Sequence, residues 1–124
     1  MKILIVENRE PDAKLLRSVL ERGGHQVSSV ASAEQAVRVL EELEAPALIV
    51  TDLDLPEMDG QEMARRLKRE PRTARIPVVA VTAYPDNFAV RHGDLGEFAA
   101  YVVKPINTRS FAQFVAEVYS RCAN

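Results

Sequence analysis

Five short apolar runs, Ile3–Val6, Val27–Val30, Ala47–Val50, Val78–Val81 and Ala100–Val103, alternate with longer segments whose apolar residues recur every three or four positions. Short runs bounded by turn residues read as buried strands, and the intervening segments as helices, which is the βαβ pattern of a parallel sheet. The first helix opens near Pro11, a favoured first-turn residue, carries Leu15, Leu16, Val19 and Leu20 on one face and stops at Gly23-Gly24. Ser32 with Gln35 matches a capping box for the second, whose stripe is Ala36, Val37, Leu40 and Leu43, ended by Ala45-Pro46. Met63, Ala64 and Leu67 mark the third, which must end before Pro71. The stretch from Tyr84 to Phe98 holds Pro85, Gly93 and Gly96 and few large apolar residues, so a short or mobile fourth helix is expected. The last helix follows Asn107, a good cap, with Phe111, Phe114, Val115, Val118, Tyr119 and Cys122 at helical spacing. Right-handed crossovers then give an α/β fold: a doubly wound, five-stranded parallel sheet of order 2-1-3-4-5 with five helices.

Composition narrows the class without changing this picture. A chain of 124 residues suits one domain, residues 1–124, and 47% hydrophobic with 27% charged residues is ordinary for a soluble globular protein. The formal net charge of −2 gives no reason to expect nucleic-acid binding. No apolar stretch reaches membrane-spanning length and no secretory leader pattern opens the chain, so a cytoplasmic location is expected. The lone Cys122 reads as a helix-packing residue, and the basic run Arg65, Arg66, Lys68, Arg69, Arg72 and Arg75 as solvated surface.

The chemistry gathers at the carboxyl ends of the strands, where open α/β sheets bind ligands. The third run stops at Thr51-Asp52, the fourth at Thr82 and the fifth at Lys104-Pro105, placing a carboxylate, a hydroxyl and an ammonium on one rim. Glu7-Asn8 ends the first strand, next to the third in this order, so Glu7 and Asp52 should lie close. Clustered carboxylates need a cation; a hard divalent ion with oxygen ligands, Mg²⁺, fits, while Lys104 compensates charge on Asp52. An aspartate so placed can attack phosphorus, with Thr82 and Lys104 contacting the phosphoryl oxygens.

With these residues in place, the chain resembles the receiver domains of two-component response regulators from Lys2 to about Cys122. The motifs are Ile3-Leu4-Ile5-Val6-Glu7, Asp52 followed by Leu55-Pro56 and Met58-Asp59-Gly60, Val81-Thr82-Ala83, and Tyr101-Val102-Val103-Lys104-Pro105-Ile106. The resemblance implies a CheY-like, flavodoxin-like fold in which Asp52 accepts a phosphoryl group. Glu7 and Asp52 would hold Mg²⁺ with the Asp54 backbone carbonyl, and Thr82 and Tyr101 would form the switch. It also implies a cis Lys104-Pro105 peptide and a stand-alone receiver without an effector domain, closest in look to cell-division response regulators. Such a chain is a signalling domain rather than an enzyme. Its phosphodonor is a histidine kinase or histidine phosphotransfer protein, and its target a protein bound through the face of the fourth segment, strand five and last helix, with no nucleic acid or membrane partner. Asp54 and Tyr84, each two residues beyond a site residue, border the path of a hydrolysing water and would tune dephosphorylation.

Two positions depart from the pattern. Asn8 stands where the family usually has a second acid that ligates the metal, and an uncharged amide there implies weak Mg²⁺ binding. Glu97 stands where a glycine is usual, four residues before Tyr101. The Asn8 departure keeps a second reading open, a pseudo-receiver that binds partners without phosphorylation. A hydrolase of the haloacid dehalogenase type would share Asp52-Leu53-Asp54, but Pro56 and the lack of a second acidic pair after Lys104 argue against it. A flavin module lacks support because Glu7-Asn8-Arg9-Glu10 is no phosphate-binding loop. His25 and His92 lie away from the rim.

Overall fold

The computed structural model describes residues 1–42, 44–83 and 96–123. Strands β1 (Lys2–Val6), β2 (Gln26–Val30), β3 (Leu48–Asp52), β4 (Val78–Thr82) and β5 (Ala100–Val103) form one sheet of order β2-β1-β3-β4-β5. All four pairings are parallel, with Ile5 opposite both Ser29 and Val50, Asp52 opposite Val81, and Thr82 opposite Val103. Among the described residues the helices are α1 (Glu10–Arg22), α2 (Ala33–Glu42), α3 (Gly60–Arg69) and α4 (Phe111–Cys122). The expected additional helix falls largely on residues 84–95, and Leu43 of the second stripe is likewise outside the described residues.

The central strands β3 and β4 are buried on both faces because helices cover both, so they read as apolar runs without alternation up to their polar ends. One core layer joins Leu4, Val6, Ile49, Val78 and Ala80 to α2 and α3 through Ala36, Leu40, Met63 and Leu67. The other joins Ile3, Ile5, Val50, Val79 and Val81 to α1 and α4 through Leu16, Leu20, Phe111 and Val115.

Local signals operate as their chemistry requires, with some displacements. Pro11 sits in the first turn of α1 and the helix ends at Gly23. Ser32 Oγ accepts from the Gln35 amide at 3.1 Å, but Gln35 Oε1 reaches the Ala31 amide at 2.8 Å, one residue earlier than in a capping box. Asn107 caps a turn through the Arg109 and Ser110 amides, and α4 proper begins at Phe111.

Three expectations need correction. Cys122 is exposed, because it lies in the final turn of α4, beyond Val118, the last buried residue of that helix. Leu15 and Tyr119 are also exposed, at the margins of their helical stripes. The basic run is not all solvated: Lys68 Nζ donates to the carbonyls of Ala74 and Ile76, each at 2.9 Å, and Arg72 donates to those of Leu40 and Glu41. These bonds fasten the chain between α3 and β4, and burial of the ammonium there lowers the Lys68 pKa.

At the open edge, β2 presents its outer groups to α1. The Gln26 amide and the Val30 carbonyl bond toward β1, so Val27 and Ser29 face outward by alternation. Arg17 donates from Nη1 to the Val27 carbonyl at 3.0 Å and from Nη2 to Ser29 Oγ at 3.4 Å.

Candidate functional site

Asp52 is the last residue of the central strand β3 and is 5% exposed. Thr51 Oγ1 donates to the Asp52 carbonyl at 2.8 Å, and the Asp54 amide donates to Asp52 Oδ1 at 3.1 Å. The following loop is pinned by buried Leu53, Leu55 and Met58, while Asp54, Pro56 and Glu57 face solvent. Glu57 adopts φ 60, the left-handed region that non-glycine residues rarely occupy. Two contacts hold the far end: Glu34 of α2 accepts from the Met58 amide at 3.1 Å, and Asp59 caps α3 through the Glu62 amide at 2.9 Å. Gly60 opens α3 so close to the strand end that a Cβ there would sit 2.5 Å from the Asp52 carbonyl oxygen. The Met58-Asp59-Gly60 motif is therefore a packing device that seats α3 against Asp52.

Lys104 follows β5, its amide donating to the Thr82 carbonyl at 2.8 Å. The Lys104–Pro105 peptide is cis, in agreement with the resemblance. Lys104 Nζ lies 2.8 Å from Glu7 Oε1, 2.9 Å from Asp12 Oδ2 and 3.4 Å from Asp52 Oδ2. Glu7, immediately after β1, thus shares the Lys104 ammonium with Asp52. Two buried carboxyls gathered on one ammonium repel unless a proton or a cation offsets their charge. Burial chiefly, and then Asp52, push the Glu7 carboxyl up to about 7 despite the opposing Lys104 bond. Burial alone would lower the Lys104 pKa, but its bonds to Glu7 and Asp12 and the field of Asp52 outweigh it, and the ammonium is held above the usual lysine range.

The structure thus brings Glu7, Asp52 and Lys104 together. Thr82 ends β4 fully buried beside them, and Asn8 is exposed next to Glu7. Tyr101 is half-buried, opposite Ala80 and packed on the core layer containing it, hence on the same sheet face as Thr82. Tyr84 lies outside the described residues. Asp12, in the first turn of α1, is a site residue that the sequence reading missed. An acid there is amply explained by the helix dipole, and only its position one turn beyond the β1 rim pointed toward the lysine.

For Mg²⁺ the donor set is mixed. Glu7 and Asp52 are buried oxygen donors with excess negative charge, the chemistry a hard cation neutralises. Among the described residues, however, no three His, Cys, Asp or Glu side chains are arranged to hold a metal. The pair fits an ion that keeps several waters rather than one enclosed by protein.

Comparison with known proteins accords with this arrangement. The model of the response regulator receiver domain family matches residues 3–116. The polar-differentiation response regulator DivK of Brucella ovis is 34% identical over 116 residues, covering 91% of each chain. An uncharacterized 14.6 kDa protein of Leptolyngbya boryana is 35% identical over 122 residues, covering 94% of this chain and 88% of its own. Among solved structures, the signal receiver domain of a signal transduction histidine kinase from Syntrophus aciditrophicus gives a TM-score of 0.85 at 35% identity over 97% of this chain and 90% of that one. The receiver domain of a sensor histidine kinase from Pseudomonas aeruginosa, described with a magnesium ion coordinated in its active-site cleft, gives 0.84 at 26% identity over 96% and 97%. Shared sequence across nearly the whole chain, the 2-1-3-4-5 sheet and these strand-end motifs make one statement: the chain belongs to the response regulator receiver domain family.

Proposed function

We propose that the chain is a phospho-accepting switch, in which Asp52 takes a phosphoryl group from a histidine kinase or histidine phosphotransfer protein and the phosphorylated form binds a target protein. The observation that carries this reading is the Asp52 carboxylate held at the end of the central strand, against a buried carboxyl and an ammonium. An Asp52 oxygen attacks phosphorus as the bond to the donor imidazole nitrogen breaks, the leaving nitrogen keeping the electron pair. Lys104 and Thr82 meet the phosphoryl oxygens with charge and a hydrogen bond. Glu7 and Asp52, with the Asp54 carbonyl and the Asn8 amide, would hold Mg²⁺, which supplies further neutralisation of the phosphoryl charge.

Signalling then runs through Thr82 and Tyr101, which share a sheet face. Drawing Thr82 toward the phosphoryl group opens space into which Tyr101 turns, changing the surface of β5 and α4 where the target binds. The likeness to DivK, a polar-differentiation response regulator, favours a role in polar differentiation, and the proposed location is the cytoplasm. Asp54, exposed beside the site, and Tyr84 would tune loss of the phosphoryl group.

Asn8 supports a second reading, a phosphorylation-independent interaction module, because the uncharged amide replaces the usual second acid. Incubation with acetyl phosphate and Mg²⁺ followed by intact-mass measurement separates the two. Uptake of one phosphoryl group by wild type and none by Asp52→Asn is expected; an unlabelled wild type would favour the second reading.

A further inference from the structure

The Lys104 ammonium has three protons, and among the described residues three acidic side chains share them unequally. Its contacts to Glu7 and Asp12 are short, whereas that to Asp52 is long at 3.4 Å. The cation is thus displaced from Asp52 toward β1 and α1. Glu7 is buried and fixed by its strand, but Asp12 sits on the first turn of a helix with its side chain 37% exposed. It is the partner most readily given back to water.

Asp12 and Lys104 also form part of the wall of a groove of about 300 Å³ whose other sides include Leu15, Leu16, Val81 and Ile106. Apolar walls strengthen the pairing by lowering the local dielectric. A phosphoryl group on Asp52 would bring three more oxygens to an ammonium with no proton to spare.

Resting on the phospho-acceptor reading above, we propose that Asp12 is a positioning residue that holds the Lys104 ammonium off Asp52, and that phosphoryl addition proceeds by exchange of the Asp12 carboxylate for a phosphoryl oxygen. Asp12 opposes phosphorylation in two ways: it competes for the lysine, and its charge repels the incoming group. Asp12→Asn keeps the size and one carbonyl oxygen but removes the charge, so the repulsion disappears and the hold on the lysine falls to that of a neutral acceptor.

The test is the phosphorylated fraction reached with acetyl phosphate at saturating Mg²⁺, read by intact mass, with thermal melts confirming folded protein. Asp12→Asn should raise that fraction and slow phosphoryl loss several-fold, and Asp12→Glu should return both to near wild-type values. In a Lys104→Met background, the Asp12→Asn change should have much the smaller effect, since the route through the lysine is gone. An unchanged or lower fraction in folded Asp12→Asn overturns the exchange. So does an equal gain with and without Lys104, which would reduce Asp12 to a distant charge. If wild type and Asp12→Asn both remain unlabelled, the phospho-acceptor reading falls and the exchange with it; labelling of wild type with no response to Asp12 sinks the exchange alone.

Discussion

Replacing Glu7 by Gln should stabilise the metal-free protein at alkaline pH. Glu7 is 3% exposed and its carboxyl is raised from the ordinary 4.5 to about 7, first by burial, with Asp52 adding and Lys104 opposing. A group whose folded pKa lies above its unfolded one contributes stability below the unfolded value and loses it as pH rises through the folded value. Wild-type stability should therefore fall between pH 4.5 and about 7 on account of this group. The shift corresponds to about 3 kcal/mol of disfavoured ionisation, reached above pH 7. Gln resembles the protonated acid and escapes that loss, so the variant should gain up to about 3 kcal/mol at pH 8.5, or about 10 °C in Tm. The gain should vanish near pH 4.5. Urea and thermal unfolding of both proteins in a chelator, from pH 4.5 to 8.5, measure it. Parallel stability profiles, or a variant less stable at pH 8.5, would show that Glu7 ionises in the fold without penalty and would refute the reasoning.

Gly60→Ala should destabilise by about 1–3 kcal/mol in urea unfolding, because its Cβ would meet backbone, the Asp52 carbonyl at 2.5 Å and Leu53 Cα at 3.1 Å, rather than a movable side chain. Glu57→Gly removes a left-handed non-glycine residue, so relief of about 1 kcal/mol should roughly match or exceed the entropy glycine adds to the unfolded chain. Equilibrium unfolding should show a change between zero and a small gain, and a loss beyond 1 kcal/mol would mean that the Glu57 side chain contributes more than its exposure suggests. Asn8→Asp should tighten Mg²⁺ binding several-fold in calorimetric titration by adding negative charge beside Glu7 and Asp52, and equal or weaker binding would place position 8 away from the ion.

The strands were readable because a sheet covered on both faces needs unbroken apolar runs, and Ile49, Val50, Val78 and Val79 are fully buried as their neighbours imply. The rim was readable for a related reason: Glu7, Asp52, Thr82 and Lys104 each end or immediately follow a run, so chain order alone placed them together. Residues acting from helices were harder to read. Asp12 looks like any first-turn acid, and its bond to Lys104 spans 92 positions. Lys68 and Arg72 look like surface cations because their partners are backbone carbonyls, which carry no sequence signature. Cys122 shows the reverse error, since helical spacing continues past the point where the sheet offers anything to pack against.

Arg17 has a consequence for how these molecules behave in a crowd. The outward carbonyl of Val27 on the edge strand is an acceptor that a strand from another chain could capture, beginning edge-to-edge association. The guanidinium occupies that acceptor and places a positive charge over the strand, so an approaching backbone meets a blocked and charged border. One guanidinium thereby makes the open border of the sheet less inviting to another copy of the chain than a bare edge strand would be.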